Sequence, residues 1–164
     1  MLVDFAFNPS ADATSLAAVP PASSASAARP ALSATPRQLR LNIRAERSLN
    51  TDQQQTSASL ALRVYVLRDD LAFQRANFDS LYDNDEATLG AALLQRESLH
   101  LRPGETRDLV LRLGSEARLV AVFAAYREVE QSQWRTVLAL PSDDLVRPLR
   151  LDAQARQVQL SWLQ

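Results

Sequence analysis

Apolar and polar residues alternate along most of the chain after residue 36, and this period of two restricts the fold more than any other feature. Successive side chains of a β-strand point to opposite faces, so the alternation indicates strands with one buried face. It is clearest in residues 39–45 and occurs again at 60–66, 109–113, 134–140 and 158–162. Residues 119–126 are apolar at both parities, which predicts a central strand covered on both faces.

Residues 69–94 break this alternation and show helical spacing instead. The apolar positions that recur at this spacing are Phe78, Leu81 and Tyr82, followed by Leu89, Ala92 and Leu93. Asp70 and Asp85 are predicted to be the N-caps of two short helices. The sequence therefore predicts an all-β fold, an antiparallel two-sheet sandwich of about seven strands in residues 37–164. A short helical insertion follows the second strand, and edge strands are expected near Arg37 and Gln157.

The first 36 residues differ in composition from the rest of the chain. Residues 10–36 consist almost entirely of Ala, Ser, Thr and Pro, and five of the eight prolines precede Arg37. Such a segment buries too little apolar surface to offset the entropy lost on ordering, so residues 1–36 are predicted to form a flexible tether. An extended arm that packs on the domain through Phe5, Phe7 and Leu16 is the alternative.

The composition excludes several kinds of chemistry. The chain has no cysteine and one histidine, so disulfides, thiolate catalysis and a Cys/His zinc site are excluded. His100 lies between two leucines and is expected to be an exposed strand residue, and no catalytic residue is predicted. The net charge of −1, with arginines interleaved among Asp and Glu, argues against a nucleic-acid partner.

An acidic cluster formed by Asp79, Asp83, Asp85 and Glu86 is the best candidate for a metal site. Calcium prefers clustered carboxylate oxygens, but an EF-hand loop that begins at Asp83 would place Thr88 where glycine is needed. These carboxylates are therefore expected to be solvated residues that flank the two short helices. No metal site and no cofactor is predicted.

A polar loop of about ten residues connects the first two predicted strands, and it is longer than a usual hairpin connection. It extends from Ser48 to Ser57 and contains three consecutive glutamines, which offer many hydrogen-bond donors and acceptors but no apolar anchor. Two interpretations stay open from the residues alone: an exposed mobile loop, or a docking loop on a rigid sandwich.

Several short motifs follow one another between residues 39 and 140. They are Leu49-Asn50-Thr51-Asp52, Leu62-Arg63-Val64-Tyr65-Val66-Leu67, Phe73, Ala76-Asn77-Phe78-Asp79-Ser80-Leu81-Tyr82, Leu89-Gly90, Pro103-Gly104, Val120-Ala121-Val122-Phe123-Ala124-Ala125-Tyr126-Arg127 and Trp134-Arg135. In this order and spacing the chain resembles the outer-membrane lipoprotein family of bacterial type VI secretion systems, the TssJ or SciN-like family.

The resemblance implies a transthyretin-like β-sandwich with a helical insertion, in agreement with the residue patterns. It also implies a structural, non-enzymatic protein in the periplasm, tethered to the outer membrane by an acylated cysteine. Because the sequence contains no cysteine, this residue is expected to precede Met1 in the full-length protein. The implied partner is the periplasmic domain of TssM, the IcmF-like inner-membrane protein of the secretion system.

The resemblance also implies that the loop between the first two strands contacts TssM. The residues of this partner-binding loop are Leu49, Asn50, Thr51, Asp52, Gln53, Gln54, Gln55 and Thr56. Members of the family commonly have Asn-Pro-Asp followed by glycine here. This sequence has Thr51 in place of the proline and glutamines in place of the glycine.

Two other functions are alternatives to the secretion lipoprotein. One is a generic periplasmic β-sandwich that binds a small ligand or another protein. The other is a transthyretin-like hydrolase, which would need polar and basic side chains gathered in one cleft. For that chemistry the sequence offers only His100 as a base.

Overall fold

A computed structural model describes residues 37–143 and 146–164 of the protein. The predicted tether at residues 1–36 lies outside the described residues. The strands are β1 (Arg37–Ala45), β2 (Leu60–Leu67), β3 (Leu93–Leu101), β4 (Thr106–Leu113), β5 (Leu119–Ala124), β6 (Arg135–Ala139), β7 (Leu149–Ala153) and β8 (Val158–Trp162). Two helices, α1 (Leu71–Arg75) and α2 (Phe78–Leu89), lie between β2 and β3.

The strands form two four-stranded sheets that pack face to face. The first sheet has the order β4-β1-β7-β8 and the second has the order β3-β2-β5-β6. The predicted sandwich, with its helical insertion after the second strand, is confirmed. Neighbouring strands pair antiparallel except for β1 and β7, which are parallel, so the expectation of purely antiparallel sheets is wrong at this pair.

The predicted edge strand near Arg37 is wrong, because β1 lies between β4 and β7 inside the first sheet. The late strand β7 crosses back to this sheet and covers the side of β1 that would otherwise be exposed. The predicted edge near Gln157 is confirmed, because β8 ends the same sheet.

Inward-facing aliphatic side chains of both sheets form the main core. Leu39, Leu41 and Ile43 of β1 are fully buried and pack with Val64 of β2 and Val122 of β5. Burial of each such side chain stabilises the fold by about 1.5–3 kcal/mol relative to exposure. The alternation in β1 thus produces one buried and one solvated face, as predicted.

The outer face of the second sheet is covered by α1 and α2. Phe73 and Leu81 from the helices are buried against Tyr65 of β2 and Phe123 of β5. The Tyr65 and Phe73 rings meet edge to face with centroids 6.0 Å apart. Strand β5 is therefore covered on both faces, as the run of apolar residues predicted.

The helix caps differ in part from the prediction. Asp70 occupies the N-cap position of α1, and α2 begins after Asn77, whose side chain accepts a hydrogen bond from the Ser80 N–H at 2.8 Å. Asp85 is not an N-cap: it follows a kink at Asn84 within α2, and its side chain points into the protein. The prediction of a solvated carboxylate at this position is wrong.

The Asp85 carboxylate is the centre of a buried polar network. It accepts hydrogen bonds from the Tyr65 hydroxyl at 2.8 Å, from Arg96 Nη1 at 2.7 Å and from Arg63 Nη1 at 3.3 Å. Burial, and then the bond to Asp85, raises the pKa of the Tyr65 phenol above its ordinary value. The network fixes α2 to β2 and β3, since its members come from all three elements.

Candidate functional site

The eight residues of the predicted partner-binding loop divide into a buried part and an exposed part. Leu49, Asn50 and Thr51 are 0%, 3% and 6% exposed. Asp52 is half-buried, and the next four residues, Gln53 to Thr56, are exposed. The exposed second half of the loop can therefore make side-chain contacts with another protein. The buried first half anchors the loop to the domain.

Asn50 connects the loop to the start of β2 and to the segment that follows β5. Its side-chain Nδ2 donates to the Ser59 carbonyl at 3.0 Å, and its Oδ1 accepts from the Arg127 N–H at 2.9 Å. The backbone of Asn50 has a φ of 51°, in the left-handed region that Asn tolerates better than most residues. Asparagine is thus suited to this position by both its backbone and its amide.

Arg127 holds the loop from outside. Its Nη2 donates to the Asn50 carbonyl at 3.0 Å and to the Thr56 carbonyl at 2.6 Å, and its Nη1 lies 3.5 Å from Asp52 Oδ2. One guanidinium therefore binds residues on both sides of the three exposed glutamines. Arg127 lies 77 residues from Asn50 along the chain, so no local sequence pattern predicts this contact.

Asp52 shapes the turn that carries the glutamines. Its Oδ1 accepts hydrogen bonds from the Gln54 N–H at 3.0 Å and from the Thr56 N–H at 2.9 Å. The Thr51 hydroxyl donates to the Ser48 carbonyl, and the Thr51 N–H donates to the Ala155 carbonyl at 3.2 Å. These bonds hold the loop in one backbone conformation, with its glutamines outward.

Four connections meet at this end of the sandwich, which we call the loop end: residues 46–59, 102–105, 125–134 and 154–157. The Gly104 N–H donates to the Glu46 carbonyl at 3.1 Å, which joins the first two connections. The Tyr126 hydroxyl lies 3.0 Å from the Gln154 carbonyl and 2.5 Å from the Gln157 carbonyl and donates to them. The loop end is therefore one hydrogen-bonded surface.

Tyr126 is buried beneath this surface, and burial raises the pKa of its phenol above the ordinary value. Tyr65 and Tyr126 are thus both neutral in the folded protein at pH values where the unfolded chain ionises them. A raised pKa contributes stability that is complete below the unfolded pKa of 10.0 and is lost as the pH rises above it.

We expect the free energy of unfolding to fall by about 1.4 kcal/mol per pH unit for each of these tyrosines above pH ~10, about 2.7 kcal/mol per unit together. The chain contains no lysine to titrate in this range. Urea unfolding at several pH values above 9.5 measures the slope, and Tyr126→Phe should reduce it by about half. A Tyr126→Phe slope equal to that of the wild type would contradict the assignment.

Other polar residues singled out by sequence stay apart. His100 is exposed on β3. Asp79, Asp83 and Glu86 are exposed on α2, while Asp85 is buried. Within residues 37–143 and 146–164, no group of three or more His, Asp or Glu side chains could hold a metal ion.

The fold and the loop end define a two-sheet β-sandwich with a helical layer on one face and an ordered polar surface at one end. The sequence profile of the T6SS-SciN family, described as type VI secretion lipoprotein (VasD, EvfM, TssJ), matches residues 37–161. The chain belongs to this type VI secretion lipoprotein family.

Solved structures of type VI secretion proteins have the same fold. TssJ1, the type VI secretion lipoprotein of Pseudomonas aeruginosa, is 33% identical with a TM-score of 0.71, and the match covers 79% of this chain and 98% of that chain. Lip from Serratia marcescens, a membrane-bound component of the secretion system, is 27% identical with a TM-score of 0.70, covering 76% and 96%. A chain of a type VI membrane complex is 25% identical with a TM-score of 0.67, covering 78% and 98%. Curated protein sequences give no significant match.

Family membership confirms the resemblance seen in the sequence, and it gives the protein its location. Lipoproteins of this family are structural components of the secretion membrane complex, anchored at the outer membrane and facing the periplasm. No helix in the described part of the chain is long and apolar enough to cross a membrane.

Proposed function

We propose that the protein is a structural component of the type VI secretion membrane complex whose loop end binds the periplasmic domain of TssM. A lipid anchor joined through residues 1–36 holds it at the outer membrane. The observation that carries the proposal is the exposed segment Gln53 to Thr56, presented by a frame of Asn50, Asp52 and Arg127. The eight loop residues therefore have two roles, with Leu49 to Thr51 as the anchor and the glutamines as the contact.

The ordered frame favours binding, because the loop backbone has little conformational entropy left to lose when it docks. Fixing one free backbone residue costs about 1–2 kcal/mol, so an unstructured segment of four residues would lose about 4–8 kcal/mol on docking. Asp52 and Arg127 already hold this segment by hydrogen bonds to its backbone. The glutamine side chains, which offer both donors and acceptors, then supply the contacts.

The direction of β1 supports the same role. The proposed tether joins the domain at Arg37, where β1 begins, and the partner-binding loop follows Ala45, where β1 ends. Nine strand residues span about 30 Å at 3.3 Å per residue. The loop therefore lies at the end of β1 opposite Arg37, the residue at which the proposed tether joins the domain.

Replacement of Gln53, Gln54 and Gln55 together by alanine should raise the Kd for the TssM periplasmic domain at least tenfold. Each lost hydrogen bond costs about 0.5–1.5 kcal/mol, and three together exceed the 1.4 kcal/mol that corresponds to a factor of ten. Calorimetric titration of the purified domains measures the effect. The side chains are exposed, so the thermal unfolding midpoint should stay close to that of the wild type.

Gln38→Ala is the matched control, since this glutamine is exposed on β1 next to the tether junction, away from the loop end. Its Kd should equal that of the wild type. Undiminished binding by the folded triple variant would remove the loop from the interface. Failure of the wild-type protein to bind the TssM domain would remove the proposed partner.

A further inference from the structure

Glutamines that are distant in the sequence converge at the loop end. Seven of the twelve glutamines in the chain lie there: Gln53, Gln54, Gln55, Gln131, Gln133, Gln154 and Gln157. The first three belong to the partner-binding loop, and the other four belong to the connections that follow β5 and β7. Their convergence is a property of the fold that no single segment of sequence reveals.

The four other glutamines line a cleft with a volume of about 420 Å³. Its polar lining consists of Glu46, Gln131, Gln133, Gln154, Arg156 and Gln157. The cleft adjoins the partner-binding loop, because the Ala155 carbonyl in its wall accepts the hydrogen bond from the Thr51 N–H. We call it the glutamine cleft.

Backbone hydrogen bonds make the walls of the glutamine cleft rigid. The Gln133 N–H donates to the Arg156 carbonyl at 2.7 Å, and the Val158 N–H donates to the Gln133 carbonyl at 3.2 Å. The hydroxyl of Tyr126, which is buried beneath the cleft, donates hydrogen bonds to the Gln154 and Gln157 carbonyls. The two walls are thus joined before any partner binds.

The side-chain amides of the cleft are oriented by one another. Gln157 Nε2 donates to Gln154 Oε1 at 2.5 Å, and Arg156 Nη1 donates to Gln131 Oε1 at 3.0 Å. These bonds leave the Nε2 groups of Gln131 and Gln154 without partners among the described residues, and the Gln133 amide makes no side-chain hydrogen bond to any of them. The cleft therefore presents a preoriented set of donors and acceptors.

We infer that the glutamine cleft binds an extended, uncharged peptide segment of the TssM periplasmic domain through hydrogen bonds to its main chain. The inference rests on the proposed function and extends its surface beyond the loop. An extended chain presents N–H and C=O groups in alternation, and a glutamine amide can pair with either. The cleft carries one Glu and one Arg, so it favours neither sign of charge on the partner.

The double variant Gln133→Ala/Gln154→Ala tests this inference by titration against the TssM periplasmic domain. We expect its Kd to rise about tenfold, since two amides that each contribute a few-fold in affinity are lost. Gln159→Ala is the matched control, because this glutamine is exposed on β8 outside the cleft. Its Kd should equal that of the wild type.

Four results would overturn the inference. A wild-type Kd for the double variant, while the triple variant at Gln53 to Gln55 binds weakly, would remove the cleft and leave the proposed function standing. A steep loss of affinity between about 50 and 300 mM salt would show that charged groups carry the contact. Displacement of TssM by soluble peptidoglycan fragments would make the cleft a glycan site. If wild-type protein does not bind TssM, the proposed function and this inference both fail.

Discussion

Replacement of Asp85 by alanine is expected to lower the free energy of unfolding by about 3 kcal/mol. Removal of the carboxylate leaves the guanidinium groups of Arg63 and Arg96 and the Tyr65 hydroxyl without their shared acceptor. Loss of one partner of a fully buried ion pair costs about 3–5 kcal/mol, and the arginines here are partly exposed, which places the effect at the lower end. Urea unfolding followed by circular dichroism measures the change.

Glu86 provides the matched control for this prediction. It is adjacent in α2 and its Oε1 lies 3.4 Å from the same Arg96 Nη1, but its side chain is 69% exposed. An exposed ion pair contributes about 0–1 kcal/mol, so Glu86→Ala should change the stability little. Equal effects of the two substitutions would show that the buried network does not hold the helical layer to the sheet.

Asn50→Ala is expected to lower the free energy of unfolding by about 3 kcal/mol and to weaken TssM binding as well. The substitution leaves the Arg127 N–H and the Ser59 carbonyl without their partners in a partly buried position. Each such group costs about 1–3 kcal/mol, and alanine at a φ of 51° adds about 1 kcal/mol of backbone strain. Chemical unfolding and a TssM titration check the two expectations.

Asn50→Gly separates the two contributions. Glycine adopts a positive φ without strain but still lacks the amide, so its loss of stability should be about 1 kcal/mol smaller than that of alanine. If both variants retain wild-type stability and affinity, the frame around Asn50 does not determine the shape of the loop.

The alternation of apolar and polar residues predicted most of the strands, because it shows which side chains of a strand are buried. It located β1, β2, β4, β6 and β8, while the run of apolar residues at both parities located β5. The helical spacing located the insertion, but Leu93, which was assigned to it, is the first residue of β3, and that strand was recognised only at His100. The short strand β7 was missed, since its five residues give too little alternation to distinguish it from a turn. The parallel pairing of β1 with β7 joins residues more than a hundred positions apart, and a local pattern contains no information on that pairing.

The sequence predicted the position and polarity of the partner-binding loop, but it did not predict the contacts that bury its first half. Loop length and composition indicated an exposed polar connection between the first two strands. The burial of Asn50 depends on Arg127, and the burial of Asp85 depends on Arg63 and Arg96. A charged or amide residue in a polar stretch is ordinarily solvated, so its tertiary partners decide whether it is exposed or buried.

Hydrogen–deuterium exchange of the protein with and without the TssM periplasmic domain shows whether the loop end is the binding surface, because it maps the contact without substitutions. We expect slower exchange on binding in residues 50–57, with further protection in 131–133 and 154–157. Rates in α1, α2 and β3 should stay unchanged. Unchanged rates in residues 50–57 together with protection of the helical layer would contradict the claim that the loop end is the binding surface.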